Sequence, residues 1–461
     1  MKINRGERLS PIEQDPQVRR GNFYEVNKGF TPEMAIEEAE RCLNCKDPKC
    51  VKGCPVNVNI PTFVRQIADG EFAEAAKTIK ATNNLPAICG RVCPQEEQCE
   101  KQCVRAKAGG AVAIGALERF AADYALQKGE PQEPPKPRNG MRVAVVGSGP
   151  AGLTCAADCA KEGFEVTIFE AFHKAGGVLV YGIPEFRLPK SLVQAEIDKL
   201  KELGVTIVLD TVIGRTFTLE ELCREYDAVF LGTGAGLPMF LNIKGENLSG
   251  VYTANEYLTR VNLMQAYLKD AATPVITGEK VVVVGGGNVA MDAARTALRM
   301  GAGKVTVVYR RSMEELPARK EEVENAIEEG IEMMLLTNPV EILGDKKVEG
   351  IKCNKMQLGQ PDERGRATPI PVEGSEFVIN CDQVIIAIGT SPNPLLAKSA
   401  KNLKTSPKGT IIINENGETS IENVYAGGDA VIGAATVILA MGAGKKAAAS
   451  IVKKLRGKHG S

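Results

Sequence analysis

The sequence predicts an α/β protein in which two Rossmann-like dinucleotide-binding domains follow a smaller α-helical domain. Three observations predict this order. Eight of the 13 cysteines fall between residues 42 and 103, and two glycine-rich turns, at 147–152 and 285–290, each follow an apolar strand. A proline-rich stretch at 129–140 separates the cysteines from the first turn. A chain of 461 residues is long enough for about three domains.

Composition narrows the possible functions. Lys plus Arg and Asp plus Glu both number 57, so the formal net charge is zero and no basic field attracts nucleic acid. No apolar run approaches the roughly 18 residues of a membrane span, and the N-terminus has no apolar signal segment. We therefore expect a cytoplasmic protein with no nucleic-acid or membrane partner. The two histidines, His173 and His459, leave little scope for a histidine-based metal site.

The cysteines of the N-terminal domain form two groups of four in sequence. The first is Cys42, Cys45, Cys50 and Cys54, and the second is Cys89, Cys93, Cys99 and Cys103. Short spacings let thiolates converge on one soft metal centre, and a cysteine-rich run that ends in Cys-Pro is typical of ferredoxin-like [4Fe-4S] ligation. Zinc, disulfides and inert core cysteines are the alternatives, and disulfides are disfavoured because no secretion signal is present. The sequence therefore favours iron-sulfur clusters.

The segments around these cysteines have helical patterns. Thr31 is a suitable N-cap and Pro32 a suitable first residue for a helix that runs to Arg41 and delivers the chain to the first cysteine. Further helices are expected at 61–69, 71–82 and 115–127. Four prolines within 131–137 then predict a stiff linker and a domain boundary.

The first glycine-rich turn has the features of a dinucleotide site. It contains Gly147, Gly149, Pro150, Ala151 and Gly152. The first glycine permits a tight turn, the second lets the backbone approach a pyrophosphate, and the third allows close packing of helix on strand. The next strand ends in Glu170, a residue type that accepts hydrogen bonds from ribose hydroxyls. Strand, helix and terminal acid together favour a dinucleotide site over an ordinary glycine-rich turn.

The pattern recurs at the second turn, which contains Gly285, Gly287, Asn288, Val289 and Ala290. Alanine replaces the third glycine, and the packing role tolerates this. Tyr309 stands where the ribose-binding acid stood in the first unit, and Arg310 and Arg311 follow it. Losing the acid and gaining two guanidinium groups favours a 2′-phosphate, so the second site is predicted to bind NADP(H). A solvated basic strand end is the alternative.

Two strand-plus-glycine segments, at 227–234 and 382–390, lie between these units and carry the chain from one to the other. A late strand that ends at Asp429 and an Ala-rich helix at 434–454 are expected to close the first unit. The predicted domains are therefore 1–138, helical with the linker; 139–252 with 392–461, the first nucleotide domain; and 253–391, the second nucleotide domain.

The order of these features, with the loop Gly182–Lys190 and the segment Ala426–Asp429, resembles the NADPH-dependent glutamate synthase small (beta) subunit family. This family includes the large subunit of NADH-dependent reduced ferredoxin:NADP oxidoreductase, also described as sulfide dehydrogenase. The N-terminal half of dihydropyrimidine dehydrogenase shares the same architecture. The similarity spans nearly the whole chain. It implies FAD in the discontinuous domain, NADP(H) in the inserted domain and two [4Fe-4S] clusters at the N-terminal end.

The resemblance also implies that the cluster ligands interleave. One cluster would be held by Cys42, Cys45, Cys50 and Cys103. The other would be held by Cys54, Cys93, Cys99 and Glu118. Cys89 is left over, and an exposed helix glutamate is the alternative for Glu118. Spacing alone would instead place the first four cysteines in one group and the last four in the other.

The flavin site is expected to extend beyond the first turn. The loop Gly182–Lys190 is expected to line the flavin, with a plain surface loop as the alternative, and Asp429 is expected near the ribityl chain. The further cofactor-binding residues are Gly177, Arg187, Gly389, Gly428, Asp429 and Thr436.

The cofactor set predicts the chemistry. A nicotinamide gives two electrons together and an iron-sulfur cluster takes one at a time, so a flavin is needed between them. We therefore expect an iron-sulfur flavoprotein oxidoreductase that passes electrons between NADPH, FAD and two clusters to or from a partner, with no catalytic residue beyond the cofactors. The resemblance implies a hetero-oligomer that supplies electrons for glutamate synthesis by a large subunit.

Other functions remain open at this point. One is the large subunit of an electron-bifurcating complex with a ferredoxin-type flavoprotein subunit, or a sulfide dehydrogenase. A non-catalytic NADPH-binding redox sensor belongs to a different class. A dithiol flavoenzyme would need a reactive cysteine pair beside the flavin, whereas Cys155 and Cys159 are expected to be core residues.

Overall fold

The computed structural model describes residues 6–129, 134–362 and 365–459. Its N-terminal part is mainly helical, with short 3-10 helices at Gln95–Glu97 and Val104–Lys107. The elements are β1 (Ile12–Glu13), α1 (Pro16–Arg19), β2 (Asn27–Gly29), α2 (Pro32–Ala39), α3 (Lys49–Lys52), α4 (Ile60–Ala68), α5 (Phe72–Lys80), α6 (Pro86–Val92) and α7 (Ile114–Lys128).

The helix boundaries follow local sequence signals. The Thr31 side chain accepts a hydrogen bond from the Met34 N–H at 3.3 Å, and Pro32 begins α2. Helix α7 ends at Gly129 with φ of 63°, a left-handed conformation that glycine adopts readily. The apolar faces of α4 and α5 are buried, as at Phe63 and Ile79. The four predicted helices are confirmed, with ends that differ by no more than two residues.

The first nucleotide unit begins as an alternation of strands and helices. Its elements are β3 (Arg142–Val146), α8 (Pro150–Lys161), β4 (Glu165–Phe169), α9 (Val178–Tyr181), α10 (Lys190–Glu202), β5 (Thr206–Val208), α11 (Leu219–Glu225), β6 (Ala228–Leu231) and β7 (Leu237–Pro238). Strands β3, β4, β5 and β6 pair in parallel. Strands β3, β4 and β6 are largely buried, as expected when helices cover both faces of a sheet.

The second unit has its own parallel sheet and an attached antiparallel layer. Its elements are β8 (Val251–Thr253), α12 (Ala254–Leu258), a π-helix (Thr259–Leu263), β9 (Lys280–Val284), α13 (Asn288–Arg299), β10 (Lys304–Val308), α14 (Lys320–Glu328), β11 (Glu332–Met334), β12 (Thr337–Leu343), β13 (Gly350–Pro361), β14 (Ala367–Pro371), β15 (Phe377–Asn380), β16 (Gln383–Ile386) and β17 (Thr390–Ser391). The parallel order is β11-β10-β9-β16-β8, while β12, β13, β14 and β15 are antiparallel.

The chain then returns to the first unit. The last elements are α15 (Leu395–Ser399), β18 (Val424–Ala426), α16 (Asp429–Ile432) and α17 (Val437–His459). Strand β18 pairs with β6, which gives the parallel order β18-β6-β3-β4-β5, and α17 packs along α8. Where the chain crosses between the units, β7 and β17 pair antiparallel. The predicted α/β class, with two Rossmann-like units after a helical domain, is confirmed.

The domain boundaries stay predictions, and two points of the structure bear on them. The boundary at 252/253 falls inside β8, a strand of the second sheet. Residues 130–133 of the predicted linker lie outside the described residues.

Candidate redox-cofactor sites

Four cysteines line one recess of the helical domain, and we call them the outer cysteine group. They are Cys42, Cys45, Cys50 and Cys103, and each is half-buried. Burial, together with the neighbouring Cys42 and Cys103, raises the pKa of Cys50 to about 12. The fold therefore brings Cys103 to the first three cysteines, although its position in the sequence groups it with Cys93 and Cys99.

Three further cysteines and one carboxylate interact with one another. We call Cys54, Cys93, Cys99 and Glu118 the inner cysteine group. Burial raises the pKa of Cys54 to about 11, and the Glu118 charge acts on all three thiols in the same direction. Burial also raises the pKa of Glu118 to about 7, while its Oε1 accepts a hydrogen bond from Asn83 Nδ2 at 2.7 Å. Glu118 is buried, so its alternative assignment as an exposed helix residue is wrong.

The donor sets consist of thiols with one carboxylate. Iron-sulfur clusters are ligated by thiolates at their corners. All 13 cysteines lie in the described part of the chain, and all are free. Thiol groups without disulfides suit cluster ligation.

The inner group adjoins the first nucleotide unit. An added Cβ at Gly442 of α17 would stand 3.1 Å from the Pro55 carbonyl oxygen, next to Cys54. Gln98 Nε2 donates to Thr436 Oγ1 at 3.5 Å, one residue before α17 begins. The predicted flavin residue Thr436 therefore contacts the segment that carries Cys99.

Cys89 belongs to neither proposed ligand set, but it contacts the inner group through a hydrogen bond with Cys93. It is fully buried, and its Sγ is 3.4 Å from Met441 Sδ of α17. The Cys89 thiol also contacts Asn83 Oδ1 at 3.7 Å. It therefore packs between the inner group and the first nucleotide unit.

The first glycine-rich turn has the shape that a pyrophosphate needs. Gly147 has φ of 96°, and an added Cβ would stand 2.6 Å from the Gly232 carbonyl oxygen. An added Cβ at Gly152 would collide with the Gly147 carbonyl oxygen. By contrast, nothing lies within 4 Å of a Cβ added at Gly149, at the N-terminus of α8. A Cβ added at Gly177 would stand 2.8 Å from Gly149 Cα, so the backbone of Gly177 packs tightly on that of Gly149 beside this open space.

The acids predicted for the flavin site have different surroundings. Glu170 accepts hydrogen bonds from the N–H groups of Ser148 and Phe172, both at 2.9 Å, and also from the Ser148 hydroxyl. Asp429 begins α16 after Gly428, and burial raises its pKa to about 6. Its Oδ1 is buried and has no hydrogen-bond partner within the described ranges, so this orphaned acceptor fits a ligand that donates hydroxyls.

The second glycine-rich turn opens in a similar way at the N-terminus of α13. No atom approaches closer than 4.0 Å to a Cβ added at Gly287, whereas one added at Gly285 would stand against the Ala387 carbonyl oxygen. Val289 is exposed and Ala290 is fully buried against the sheet. Asn288 Oδ1 accepts a hydrogen bond from the Arg319 N–H at 2.9 Å.

The two arginines predicted to bind the 2′-phosphate differ sharply. Arg310 is exposed at the end of β10, on the side of the turn. Arg311 is buried, and its Nε donates to the Ala367 carbonyl oxygen at 2.7 Å. Of the two arginines, the exposed Arg310 is therefore the better placed to contact a phosphate group.

Two other predicted cofactor residues have structural partners. Gly389 has φ of 117° and its carbonyl accepts from the Met239 N–H at 3.0 Å, which joins the crossing strands. Arg187 is buried, with Nη1 2.7 Å from Asp292 Oδ1 and Nε 2.7 Å from Glu322 Oε1. The loop Gly182–Lys190 is thus tied to helices α13 and α14, and the flavin contact of Arg187 stays a prediction.

Two residues near these sites were not found from sequence. Asn83 holds Glu118, and Arg319 extends from the second unit into the helical domain, where its Nη2 is 3.1 Å from Gln95 Oε1. A polar residue in a turn and an arginine after Leu-Pro-Ala carry no general signal for such roles.

Two cysteine groups beside a pair of Rossmann-type turns define the class, an iron-sulfur flavoprotein oxidoreductase that uses a pyridine nucleotide. The comparisons with known proteins agree. Residues 19–130 match the family described as dihydropyrimidine dehydrogenase domain II, 4Fe-4S cluster. Residues 141–448 match pyridine nucleotide-disulphide oxidoreductase.

Full-length relatives narrow the class further. The chain is 39% identical over 455 residues to the glutamate synthase [NADPH] small chain of Halomonas elongata, covering 97% of this chain and 96% of that one. It is 36% identical over 459 residues to the Escherichia coli K12 small chain, covering 97% of each. The NADP(+)-dependent formate dehydrogenase subunit beta of Moorella thermoacetica is 39% identical over 433 residues, covering 88% of this chain and 60% of that protein.

Solved structures support the fold of the nucleotide units. Mycobacterium tuberculosis FprA in complex with NADPH has a TM-score of 0.57 at 23% identity, covering 69% of this chain and 84% of that one. The thioredoxin reductase of T. acidophilum has a TM-score of 0.53 at 24% identity, covering 68% of this chain and 98% of that one.

The chain belongs to the glutamate synthase small chain family. The predicted family, the FAD and NADP(H) cofactors, the [4Fe-4S] clusters and the oxidoreductase activity are confirmed. The relatives are named as small chains or β subunits, which supports a partner subunit for this chain. Within the described residues, no helix is both long and apolar enough to cross a membrane.

Proposed function

We propose that this chain takes electrons from NADPH and passes them, through FAD and two [4Fe-4S] clusters, to a glutamate synthase large subunit. The observation that carries this proposal is the position of the inner cysteine group. It contacts helix α17 of the first nucleotide unit on one side and shares two short chain segments with the outer group on the other. Cys50 and Cys54 flank one segment, and Cys99 and Cys103 flank the other.

The proposed ligands follow the two groups. The outer group holds one cluster through Cys42, Cys45, Cys50 and Cys103, and the inner group holds the other through Cys54, Cys93, Cys99 and Glu118. Two observations support this. The side chains of each group come from separate parts of the chain, and the inner group is more deeply buried than the outer group. Asn83 orients the Glu118 carboxylate, as outer hydrogen bonds commonly do for metal ligands.

The nucleotide units supply placement rather than acid-base chemistry. FAD, when bound, exchanges a hydride with NADPH and single electrons with the clusters. The open backbone at Gly149 and the start of α8 bind one pyrophosphate, and Asp429 accepts from the ribityl hydroxyls. Gly287 and the start of α13 bind the NADP(H) pyrophosphate, while Arg310 contacts the 2′-phosphate.

The exit of the electrons lies at the outer group. Leu43 and Val104, each next to a cysteine of that group, are exposed large apolar residues. Exposed apolar side chains beside a half-buried redox centre suit a protein partner. We therefore assign this face to the partner subunit. A ferredoxin-type flavoprotein subunit of a bifurcating complex is the other candidate partner.

The first experiment tests the cofactor set and the electron path. Purified without oxygen, the chain should carry about eight irons and one FAD, and should reduce an artificial dye at steady state with NADPH. A loaded chain that reduces no dye would instead support the NADPH-binding sensor.

Co-expression with the large chain should then give NADPH-dependent formation of glutamate. Glutamate formation that needs no small chain, or activity only with a ferredoxin-type subunit, would refute the partner assignment.

Nucleotide choice is tested by the two neighbouring arginines. Arg310→Ala should weaken NADPH binding about 10-fold or more, because one charge-assisted contact to phosphate is lost, and should leave NADH binding unchanged. Arg311→Ala is the matched control, since its guanidinium binds the Ala367 carbonyl oxygen and should affect both nucleotides similarly. Equal losses of NADPH and NADH in Arg310→Ala would remove Arg310 from the 2′-phosphate site.

A further inference from the structure

A buried arginine of the second nucleotide unit is fixed by the NADP(H) turn. The segment 316–318 packs on that turn, and the Ala318 N–H donates to the Gly286 carbonyl oxygen at 3.2 Å. The next N–H, of Arg319, donates to Asn288 Oδ1 at 2.9 Å. Arg319 is 9% exposed. Its backbone therefore belongs to the wall of the nucleotide site.

The Arg319 guanidinium leaves that unit and enters the helical domain. Nη1 donates to the Arg91 carbonyl oxygen at 3.2 Å, and Nη2 donates to Gln95 Oε1 at 3.1 Å. Arg91 and Gln95 lie two residues before and two residues after Cys93 of the inner group. The cation is therefore bound on both sides of Cys93 in the chain.

Arg319 also has two acidic partners. Nε is 3.1 Å from Glu96 Oε1, and Nη2 is 2.9 Å from Glu321 Oε2. Both carboxylates are partly exposed, with 28% and 39% of their side chains accessible, so solvent screens them. The negative charge of Glu322 also raises the pKa of Arg319. The two acceptors on either side of Cys93 in the chain, the Arg91 carbonyl and the Gln95 amide, are neutral.

We propose that Arg319 is a positioning residue that holds a positive charge of the NADP(H) unit against the inner group and raises the reduction potential of the cluster there. The proposal rests on the proposed function, since Cys93 must be a ligand. Reduction adds one negative charge to a cluster, and a fixed cation in a poorly solvated site stabilises the reduced form. The potential of the inner cluster therefore depends on the docking of the second nucleotide unit. The outer cluster is held by other cysteines, outside the segment that Arg319 binds, and should be affected less.

The test is a redox titration of both clusters, followed by electron paramagnetic resonance, in the anaerobically purified full chain. Arg319→Gln should shift the inner cluster to lower potential and shift the outer cluster less, so the two clusters of one molecule serve as signal and control. Arg319→Lys keeps the charge and should restore most of the shift. Iron content is measured first, because a chain that binds no inner cluster in the wild type would refute the ligand assignment rather than the role of Arg319.

A second variant keeps the test decisive if Arg319→Gln fails to load its inner cluster. Glu96→Gln leaves Arg319 in place and removes a carboxylate that partly neutralises it, so the inner cluster should shift to higher potential. Opposite shifts in Arg319→Gln and Glu96→Gln support the proposal. An unchanged inner potential in a loaded Arg319→Gln protein, or an equal shift of both clusters, overturns it. If only Glu96→Gln loads, the absence of a rise in its inner potential overturns it as well.

Discussion

The outer and inner cysteine groups are built from the same two chain segments, yet they have different surroundings. The outer group has four half-buried thiols beside exposed Leu43 and Val104. The inner group has two buried thiols, Cys93 and Cys99, a half-buried thiol, Cys54, and a carboxylate from α7, and it packs near α17. One side of the helical domain thus exposes apolar residues beside its thiols, and the other side packs against the first nucleotide unit.

The difference teaches how a short domain separates two redox centres. Three residues separate Cys50 from Cys54, and three separate Cys99 from Cys103, yet the two cysteines of each segment belong to different groups. The two groups are therefore close together, but their surroundings differ. Helices α7 and α17 surround the inner group, and the exposed surface of the domain surrounds the outer group. Burial and charge, which tune cluster potentials, differ accordingly.

The largest expected effect comes from removing a ligand of the inner group. Cys99→Ala should lose one cluster and lower NADPH-driven reduction of the outer cluster by about 100-fold or more, because ligand loss disrupts the centre and the path from the flavin is cut. Iron content and stopped-flow absorbance measure both. Cys45→Ala in the outer group is the control, and it should keep rapid reduction of FAD and of the inner cluster. Fast reduction of the outer cluster in Cys99→Ala would show that the order of the centres is wrong.

The second effect concerns the surface beside the outer group. Leu43→Glu should weaken binding of the glutamate synthase large chain about 10-fold, since a charge would be buried in an apolar contact. Binding is measured by titration of the purified subunits, with iron content as a check on the cluster. Leu358→Glu, at a similarly exposed leucine on β13 of the second unit, is the matched control. Equal weakening by both variants would place the partner surface elsewhere.

Sequence analysis predicted some of this organisation and missed the rest for physical reasons. Helix α2 and both glycine-rich turns were predictable, because Thr31, Pro32 and the glycines act through local backbone geometry. The exchange of Cys54 and Cys103 between groups was not evident from spacing, since it depends on how the segments pack, and only family resemblance indicated it. Arg187 and Arg319 show the same limit, because a buried arginine between domains has no local pattern.

A third, smaller effect separates the two groups by ligand chemistry. Glu118→Cys should keep the inner cluster and shift its potential, since carboxylate and thiolate differ in softness, while the outer cluster keeps its potential. Redox titration of both clusters measures this. Asn83→Leu, which removes the hydrogen bond to Glu118 Oε1, should shift the same cluster with Glu118 intact. An unchanged inner signal in Glu118→Cys would remove Glu118 from the ligands.

The smallest effect tests the eighth cysteine, which lies between the inner group and α17. Cys89→Ala removes the contact with Met441 Sδ and leaves a small cavity, so the protein should lose about 1 kcal/mol of stability and keep all its iron. Thermal unfolding and iron analysis measure the two outcomes. Cys155→Ala, at a fully buried cysteine of α8, should give a similar loss. Loss of iron in Cys89→Ala alone would mean that Cys89, rather than Glu118, completes the inner group, and the comparison between four thiols outside and three thiols with a carboxylate inside would no longer hold.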